Sequence, residues 1–169
     1  MAYEIERKFL VKDDRWRDDA DGGVSIRQAY LSRTRSISLR IRVVDERRAT
    51  LTVKSAAAEI RRLEFEYPVP LADAYALIEL REGAIVEKRR HRLPWGGLTF
   101  EIDVFQGENE GLVVAEIELP HENACFEKPA WLGAEITADP RYSNAGLATK
   151  PFSSWPTSSR PDHFRVFLK

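Results

Sequence analysis

Near its N-terminus the chain contains the stretch Glu4-Ile5-Glu6-Arg7-Lys8-Phe9-Leu10-Val11. In a β-strand, successive side chains point to opposite faces. The two glutamates and Lys8 then share one face, and the other face is apolar except at Arg7. One apolar face is common in strands, whereas two carboxylates followed by an ammonium on the opposite face need an explanation. The later strands supply it.

The same alternation recurs along the chain and predicts seven further strands: Val24–Leu31, Ser36–Val44, Ala49–Ser55, Arg61–Val69, Ile85–Leu93, Leu98–Phe105 and Leu112–Leu119. Apolar residues at three-to-four spacing predict an amphipathic helix over Leu71–Arg81. Beyond Pro120 we expect a short helix over Glu122–Leu132, a turn over Arg141–Leu147, and an irregular or loosely packed extension from Pro151. About eight short strands separated by turns are typical of an all-β barrel or sandwich.

The polar faces of these strands carry charged residues almost exclusively, and the charges are sorted by sign. Acidic pairs are Glu101/Asp103 and Glu116/Glu118, and basic sets are Arg40/Arg42 and Lys88/Arg90/Arg92. Like charges at alternate positions lie only ~7 Å apart along a strand and repel each other. Each set therefore needs opposite charge from other strands or from a ligand.

Two interpretations of this charged pattern stay open from the residues alone. In the first, the face is solvated and carries weak cross-strand ion pairs. Alternatively it lines an interior that binds metal ions at its acids and an anionic substrate at its bases. The second interpretation requires water or ligand inside, because unpaired buried charges are unfavourable.

Composition limits the function classes. The chain has 169 residues, 43% hydrophobic and 31% charged, with 26 Lys plus Arg against 27 Asp plus Glu. This balance argues against a nonspecific nucleic-acid partner. The single cysteine, Cys125, excludes an internal disulfide and a Cys-rich metal site. We see neither a signal peptide nor a membrane span, and therefore expect a cytoplasmic protein without a membrane partner.

Several motifs, in order, resemble those of the CYTH superfamily, the triphosphate tunnel metalloenzymes. The opening stretch is similar to the family's ExExK signature. Others are Gln28-Ala29-Tyr30-Leu31, Arg40-x-Arg42, Thr52-Val53-Lys54, Arg62-x-Glu64-Phe65-Glu66, Lys88-x-Arg90, Glu101-Ile102-Asp103, Glu116-Ile117-Glu118, Trp131–Thr137 and Arg141–Asn144. The resemblance covers residues 1–148, which we expect to form the CYTH triphosphate-tunnel domain. Residues 149–169 form an extension without a family motif.

The resemblance implies a mainly β (α+β) fold in which an eight-stranded antiparallel closed barrel with flanking helices forms a charged tunnel. It also implies binding of a triphosphate with divalent cations, usually Mg²⁺ or Mn²⁺, and we expect two ions. The leading prediction is metal-dependent hydrolysis of inorganic triphosphate by in-line attack of water. A thiamine triphosphatase or an adenylyl cyclase would use the same phosphate chemistry. A non-catalytic polyphosphate- or nucleotide-binding module is the alternative of another class, and a homodimer is left open.

Site residues follow from this resemblance and from the preference of hard divalent cations for carboxylate oxygens. The expected metal ligands are Glu4, Glu6, Asp103, Glu116 and Glu118, with Glu101 in an outer shell. The expected phosphate-binding residues are Lys8, Arg40, Arg42, Lys54, Lys88 and Arg90. The expected catalytic residues are Lys8, Glu4, Glu6 and Glu116. Four further residues either line the tunnel or pair with one another: Arg62, Glu64, Glu66 and Arg92.

Overall fold

The computed structural model describes residues 5–55, 64–121 and 123–161. Over these ranges the chain forms strands, two α-helices and several short 3₁₀ turns. The elements in chain order are β1 (Ile5–Val11), β2 (Val24–Arg33), β3 (Ile37–Val44), β4 (Arg48–Ser55), β5 (Glu64–Val69), α1 (Leu71–Glu79), β6 (Glu82–Trp95), β7 (Leu98–Gln106), β8 (Val113–Leu119), β9 (Leu132–Glu135) and α2 (Asn144–Thr149).

All strands belong to one antiparallel sheet in the order β5-β4-β3-β2-β6-β7-β8-β1-β9. The predicted mainly β fold with flanking helices is confirmed. Two details of the prediction differ. Among the described residues, the sheet has nine strands where eight were expected. Moreover, across the described residues hydrogen bonding leaves β5 and β9 as edges and does not close the sheet.

The ninth strand, β9, lies at the end of a segment for which the sequence predicted a helix. No helix forms over residues 123–131, so the predicted helix over Glu122–Leu132 is wrong for the described part of that range. Instead β9 pairs with β1, with Val11 opposite Leu132 and Phe9 opposite Glu135. Gly133 permits this approach, since a Cβ there would lie 2.7 Å from the Leu10 carbonyl oxygen.

Apolar side chains on one face of the sheet form two cores. The face of β1, β7 and β8 packs with the segments around Trp16 and Trp131, and its buried members include Phe9, Phe100, Ile102, Ala115 and Ile117. The face of β2, β3 and β4 is covered by α1, which buries Ala74 and Ile78 against Ile41 and Val43. Asp73 lies in the first turn of α1, where its negative charge stabilises the positive end of the helix dipole.

The C-terminal region packs against the opposite side of the sheet, at one end. There α2 and the following 3₁₀ turns bury Leu147, Phe152 and Trp155 against a cluster that includes Leu10, Val86, Phe105 and Val114. The predicted turn over Arg141–Leu147 is thus partly helical, and Ser143 caps α2 by accepting a hydrogen bond from Gly146 N at 2.9 Å. From Pro151, where an irregular or loosely packed extension was expected, the described residues form short 3₁₀ turns over Phe152–Ser154 and Thr157–Ser159. Phe152 and Trp155 are buried, so this part of the chain is not loosely packed.

Arg7, which interrupts the apolar face of β1, has partners that were not evident from the sequence. Its Nε and Nη2 donate to the two carboxylate oxygens of Glu135 at 2.9 and 2.5 Å. Its guanidinium also lies 5.3 Å from the Phe9 ring centroid and 5.6 Å from that of Phe126. Arg7 therefore links β1 to the end of β9 by an ion pair, and its guanidinium makes cation–π contacts with the neighbouring aromatic rings.

Candidate functional site

The strand register places the predicted charged residues on one face of the sheet. Lys8 lies opposite Glu116, and Glu116 also lies opposite Glu101. Farther along, Arg90 lies opposite Asp103. We call this surface the charged face, and its described members are Glu6, Lys8, Gln28, Arg40, Arg42, Thr52, Lys54, Glu64, Glu66, Lys88, Arg90, Arg92, Glu101, Asp103, Glu116 and Glu118.

One end of the charged face forms an acidic pocket of about 520 Å³. Its lining includes Glu6, Glu101, Glu116 and Glu118, with Arg92 at its edge. The structure therefore brings together three of the predicted metal ligands, Glu6, Glu116 and Glu118. The predicted ligand Glu4, like Arg62, lies outside the described residues.

Lys8 lies between two carboxylates of this pocket. Its Nζ is 2.6 Å from Glu116 Oε1 and 3.1 Å from Glu6 Oε2. Burial raises the pKa of Glu6, and the neighbouring Glu116 carboxylate raises it further. Burial alone would also raise the pKa of Glu116, but Lys88, Lys8 and Arg90 outweigh it and lower that pKa to about 2. One ammonium thus serves two carboxylates that would otherwise repel each other.

Asp103 lies in a different environment from the pocket carboxylates. It is fully buried beside the equally buried Lys88, whose Nζ is 2.5 Å from Asp103 Oδ2 and 3.1 Å from Asn144 Oδ1. Arg90 binds Asp103 with two hydrogen bonds of 2.7 Å and donates to Glu116 at 2.8 Å and to Glu101. In this arrangement Asp103 holds two cations, and it does not line the acidic pocket.

The other end of the charged face is cationic. The Nζ atom of Lys54 is 2.8 Å from Glu64, whereas Arg40 is 3.9 Å from Glu66. Among the described residues no carboxylate lies within ion-pair distance of Arg42. Burial, and then the charges of Arg40 and Arg90, lower the pKa of Arg42 to about 10. A half-buried guanidinium among like charges is a site that an anion would stabilise.

The donor chemistry of the acidic pocket fits a hard divalent cation. Within the described ranges no three or more His, Cys, Asp or Glu side chains are arranged as a metal site. However, Glu6 and Glu116 lie close enough for the charge of one to raise the pKa of the other. Adjacent carboxylates facing an open pocket are the oxygen ligands that Mg²⁺ and Mn²⁺ prefer. The salt bridges of Lys8 satisfy these oxygens here.

Two uncharged residues belong to the charged face but were not predicted as site residues. Gln28 and Thr52 are buried, at 0% and 1% exposure. Gln28 accepts a hydrogen bond from Arg42 Nε at 3.1 Å, and Thr52 accepts one from Arg40 Nη2 at 3.3 Å. For Thr52 the available signal was its alternation with Lys54 on β4. Gln28 lies between Ile26 and Tyr30 on the face of β2 opposite Arg27, so only its pairing with Arg42 on β3 places it on the charged face.

Comparison with known proteins places this geometry in a family. The family model for the CYTH domain matches residues 2–150. The chain belongs to the CYTH domain family. A relative named inorganic triphosphatase, from Acetivibrio thermocellus, is 46% identical over 156 residues. The match covers 92% of this chain and 99% of the relative. Another of that name, from Nitrosomonas europaea, is 40% identical over 150 residues, covering 86% and 96%.

Solved structures agree with this CYTH assignment. The crystal structure of the inorganic triphosphatase NE1496 aligns with a TM-score of 0.68 at 37% identity, covering 92% of this chain and 98% of that one. A conserved hypothetical protein from Pyrococcus furiosus aligns at 0.54 and 21% identity, which shows the fold alone. The nine-stranded antiparallel sheet agrees with this similarity of fold. In the described part of the chain, no helix combines the length and apolarity needed to cross a membrane.

Proposed function

We propose that this protein hydrolyses inorganic triphosphate with the help of Mg²⁺ or Mn²⁺. The observation that carries the proposal is the division of the charged face. At one end, the half-buried Arg42 has no carboxylate partner among the described residues, and at the other end lies an acidic pocket. A triphosphate with bound divalent ions has the complementary charges. The two relatives named inorganic triphosphatase support this substrate.

The cationic end binds the phosphate chain in this proposal. Arg42 can direct its Nη atoms to phosphate oxygens, since its Nε is already bound to Gln28. Arg40 and Lys54 lie on the neighbouring strands β3 and β4 and add charge at the same end. Lys88 and Arg90 extend the basic row toward the acids.

The acidic end holds the cations in this proposal. Glu6, Glu116 and Glu118 line the pocket and would be ligands, and Glu4 and Asp103 complete the predicted set. When bound, the ions supply positive charge to the phosphates and acidify a water molecule. Lys8 would then lose its contact with Glu6 and Glu116, and its ammonium would be available to a phosphate oxygen. The chain's main contribution to the reaction is to position the substrate and stabilise its charge.

The test is phosphate release from tripolyphosphate, ATP and thiamine triphosphate, with Mg²⁺ and then Mn²⁺, while cyclic AMP is measured alongside. We expect tripolyphosphate to be the best substrate and release to stop when EDTA is added. Binding without turnover would favour the non-catalytic module, and cyclic AMP formation would favour a cyclase.

Two variants test the site within this assay. Glu116→Gln removes a proposed ligand and Arg42→Ala removes a phosphate contact, so each should lower the rate by at least ~10²-fold. Circular dichroism should remain that of the parent protein. Gln106→Met changes an exposed residue at the end of β7, outside the charged face, and is the control for a substitution away from the site. Turnover retained in Arg42→Ala would refute the assignment of the cationic end.

A further inference from the structure

Gln28 is an unusual residue of the charged face because it is polar, uncharged and fully buried. It lies in β2, opposite Arg42 on β3 and Val86 on β6. Its Oε1 accepts the hydrogen bond from Arg42 Nε at 3.1 Å. Since arginine has no acceptor atom, this contact fixes the orientation of the amide.

The other half of the Gln28 amide has no partner within the described residues. Its Nε2 is buried without a hydrogen bond, and the same holds for Arg40 Nε on the neighbouring strand. Burying a donor without an acceptor is unfavourable, so each such donor in a native protein needs an explanation. Gln28, Arg40 and Arg42 together offer donors to one region of the charged face, and what that region lacks is a group rich in acceptor oxygens.

The choice of an amide at this position has a physical reason. Arg40 and Arg90 already disfavour the charged form of Arg42, and burial does so more strongly. A lysine or arginine in place of Gln28 would add a further like charge next to them. A glutamine adds a donor without adding charge, and it also holds Arg42 through its oxygen.

We propose that Gln28 is a phosphate-contacting residue whose Oε1 orients Arg42 and whose Nε2 donates to an oxygen of the bound triphosphate. This inference rests on the proposed function for the identity of the anion. It differs from a purely structural role, in which the amide would support the fold and leave anion affinity unchanged.

The experiment measures binding separately from turnover. Tripolyphosphate is titrated calorimetrically into the wild type and into Gln28→Met in the presence of EDTA, so that no hydrolysis occurs. Gln28→Met keeps the approximate length and removes both polar atoms. Because hydrogen bonds to charged groups are the stronger ones, we expect Kd to rise about tenfold or more. In the metal-supplied assay KM should rise more than kcat falls, since the contact is made to the ground state as well.

Asn109 provides a matched control for the loss of a buried amide. It is also fully buried, its Oδ1 accepts from Phe152 N at 2.8 Å, and its Nδ2 has no partner in the described part of the chain. It lies outside the charged face. Asn109→Ala should therefore lower thermal stability and leave the Kd for tripolyphosphate at its wild-type value.

The outcomes separate the inference from the proposed function. A wild-type Kd in folded Gln28→Met overturns the role of Gln28 alone, and binding without turnover by the wild type overturns the proposed function alone. A wild type that neither binds tripolyphosphate in EDTA nor hydrolyses it with Mg²⁺ or Mn²⁺ overturns both. If it hydrolyses tripolyphosphate without binding it in EDTA, an unchanged KM in Gln28→Met overturns the inference. If Gln28→Met does not fold, Gln28→Asn, which withdraws the amide by one methylene, takes its place. A wild-type Kd in that variant then overturns the inference.

Discussion

Replacement of Asp103 by asparagine separates two roles for this carboxylate. The predicted role is that of a metal ligand, whereas the structure shows it holding Lys88 and Arg90. Asp103→Asn keeps the size of the side chain and removes its charge. If the second role dominates, the metal-free protein should lose stability. If Asp103 serves mainly as a ligand, the metal-free protein should be unaffected and only stabilisation by Mg²⁺ should weaken.

The size of the expected loss follows from burial and contacts. Lys88 and Asp103 are both fully buried, and their charged atoms are 2.5 Å apart. Removing one partner of a buried ion pair typically costs ~3–5 kcal/mol, because the other charge is left without compensation. Asn144 remains as one acceptor for Lys88, which places the expectation near ~3 kcal/mol. For a chain of this length that is a decrease in Tm of roughly 6–12 °C.

The stability loss of Asp103→Asn should also depend on pH, which provides a second test. Burial lowers the pKa of Lys88, and Asp103 opposes this effect. Without Asp103 the folded-state pKa of Lys88 falls further below its value in the unfolded chain. The unfolded state then binds more protons, so the stability of the variant rises with pH up to the unfolded-state pKa. We expect the deficit at about pH 9.5 to be smaller than at about pH 7.

The assay is urea unfolding followed by circular dichroism in EDTA, repeated with Mg²⁺. Glu118→Gln is the control because Glu118 is exposed, so its metal-free stability should change by no more than ~0.5 kcal/mol. Wild-type stability of Asp103→Asn in EDTA would refute the view that Asp103 compensates Lys88 and Arg90.

Two further predictions concern the scaffold. The Arg7 hydrogen bonds lower the pKa of Glu135 from 4.5 to about 2, so the pair stabilises the fold above pH 4.5 and this contribution is lost as the pH falls toward 2. Because the pair is about one-third exposed, Glu135→Gln should remove less than ~1 kcal/mol, visible as a flatter stability profile over this range in urea titrations; an unchanged profile would contradict the prediction. Trp155→Ala should cost ~3–5 kcal/mol, measured as a lower Tm, whereas the exposed Leu80→Ala should have little effect; equal Tm values would show that the C-terminal turns are not part of the core.

The sequence predicted the sheet well where one face alternates with the other over many residues. In β3 and β8 the apolar row is uninterrupted and two like charges alternate with it, and the structure begins each strand within one residue of the prediction. It failed at β9 and α2, which depend on close backbone approaches. A Cβ at Gly146 would lie 2.2 Å from the Pro140 carbonyl oxygen. Such contacts leave no periodic signal, because they require the absence of a side chain.

For the candidate site, too, some features could be predicted from the sequence and others could not. Alternation placed the charged residues on one face, since that needs only strand periodicity. It could not assign partners, because these depend on how β6 pairs with β7 and on which groups become fully buried. Asp103 and Glu101 are equivalent in the pattern, yet one is fully buried between two cations and the other lines the pocket. Gln28 lies between apolar residues of β2, so its place on the charged face and its role follow only from its pairing with Arg42.

The position of β1 in the sheet has a consequence for how the chain acquires its fold. In sequence β1 precedes β2 to β8, yet it pairs with β8 and β9, and Lys8 and Glu116 are 108 residues apart. The hairpins β2–β3, β3–β4 and β6–β7 can form as they leave the ribosome, whereas β1 waits for its partners until β8 has been synthesised. Closing so long a loop slows folding, and the waiting strand is open to pairing with other chains. A circular permutant that begins at β2 and places β1 after β9 would remove that wait.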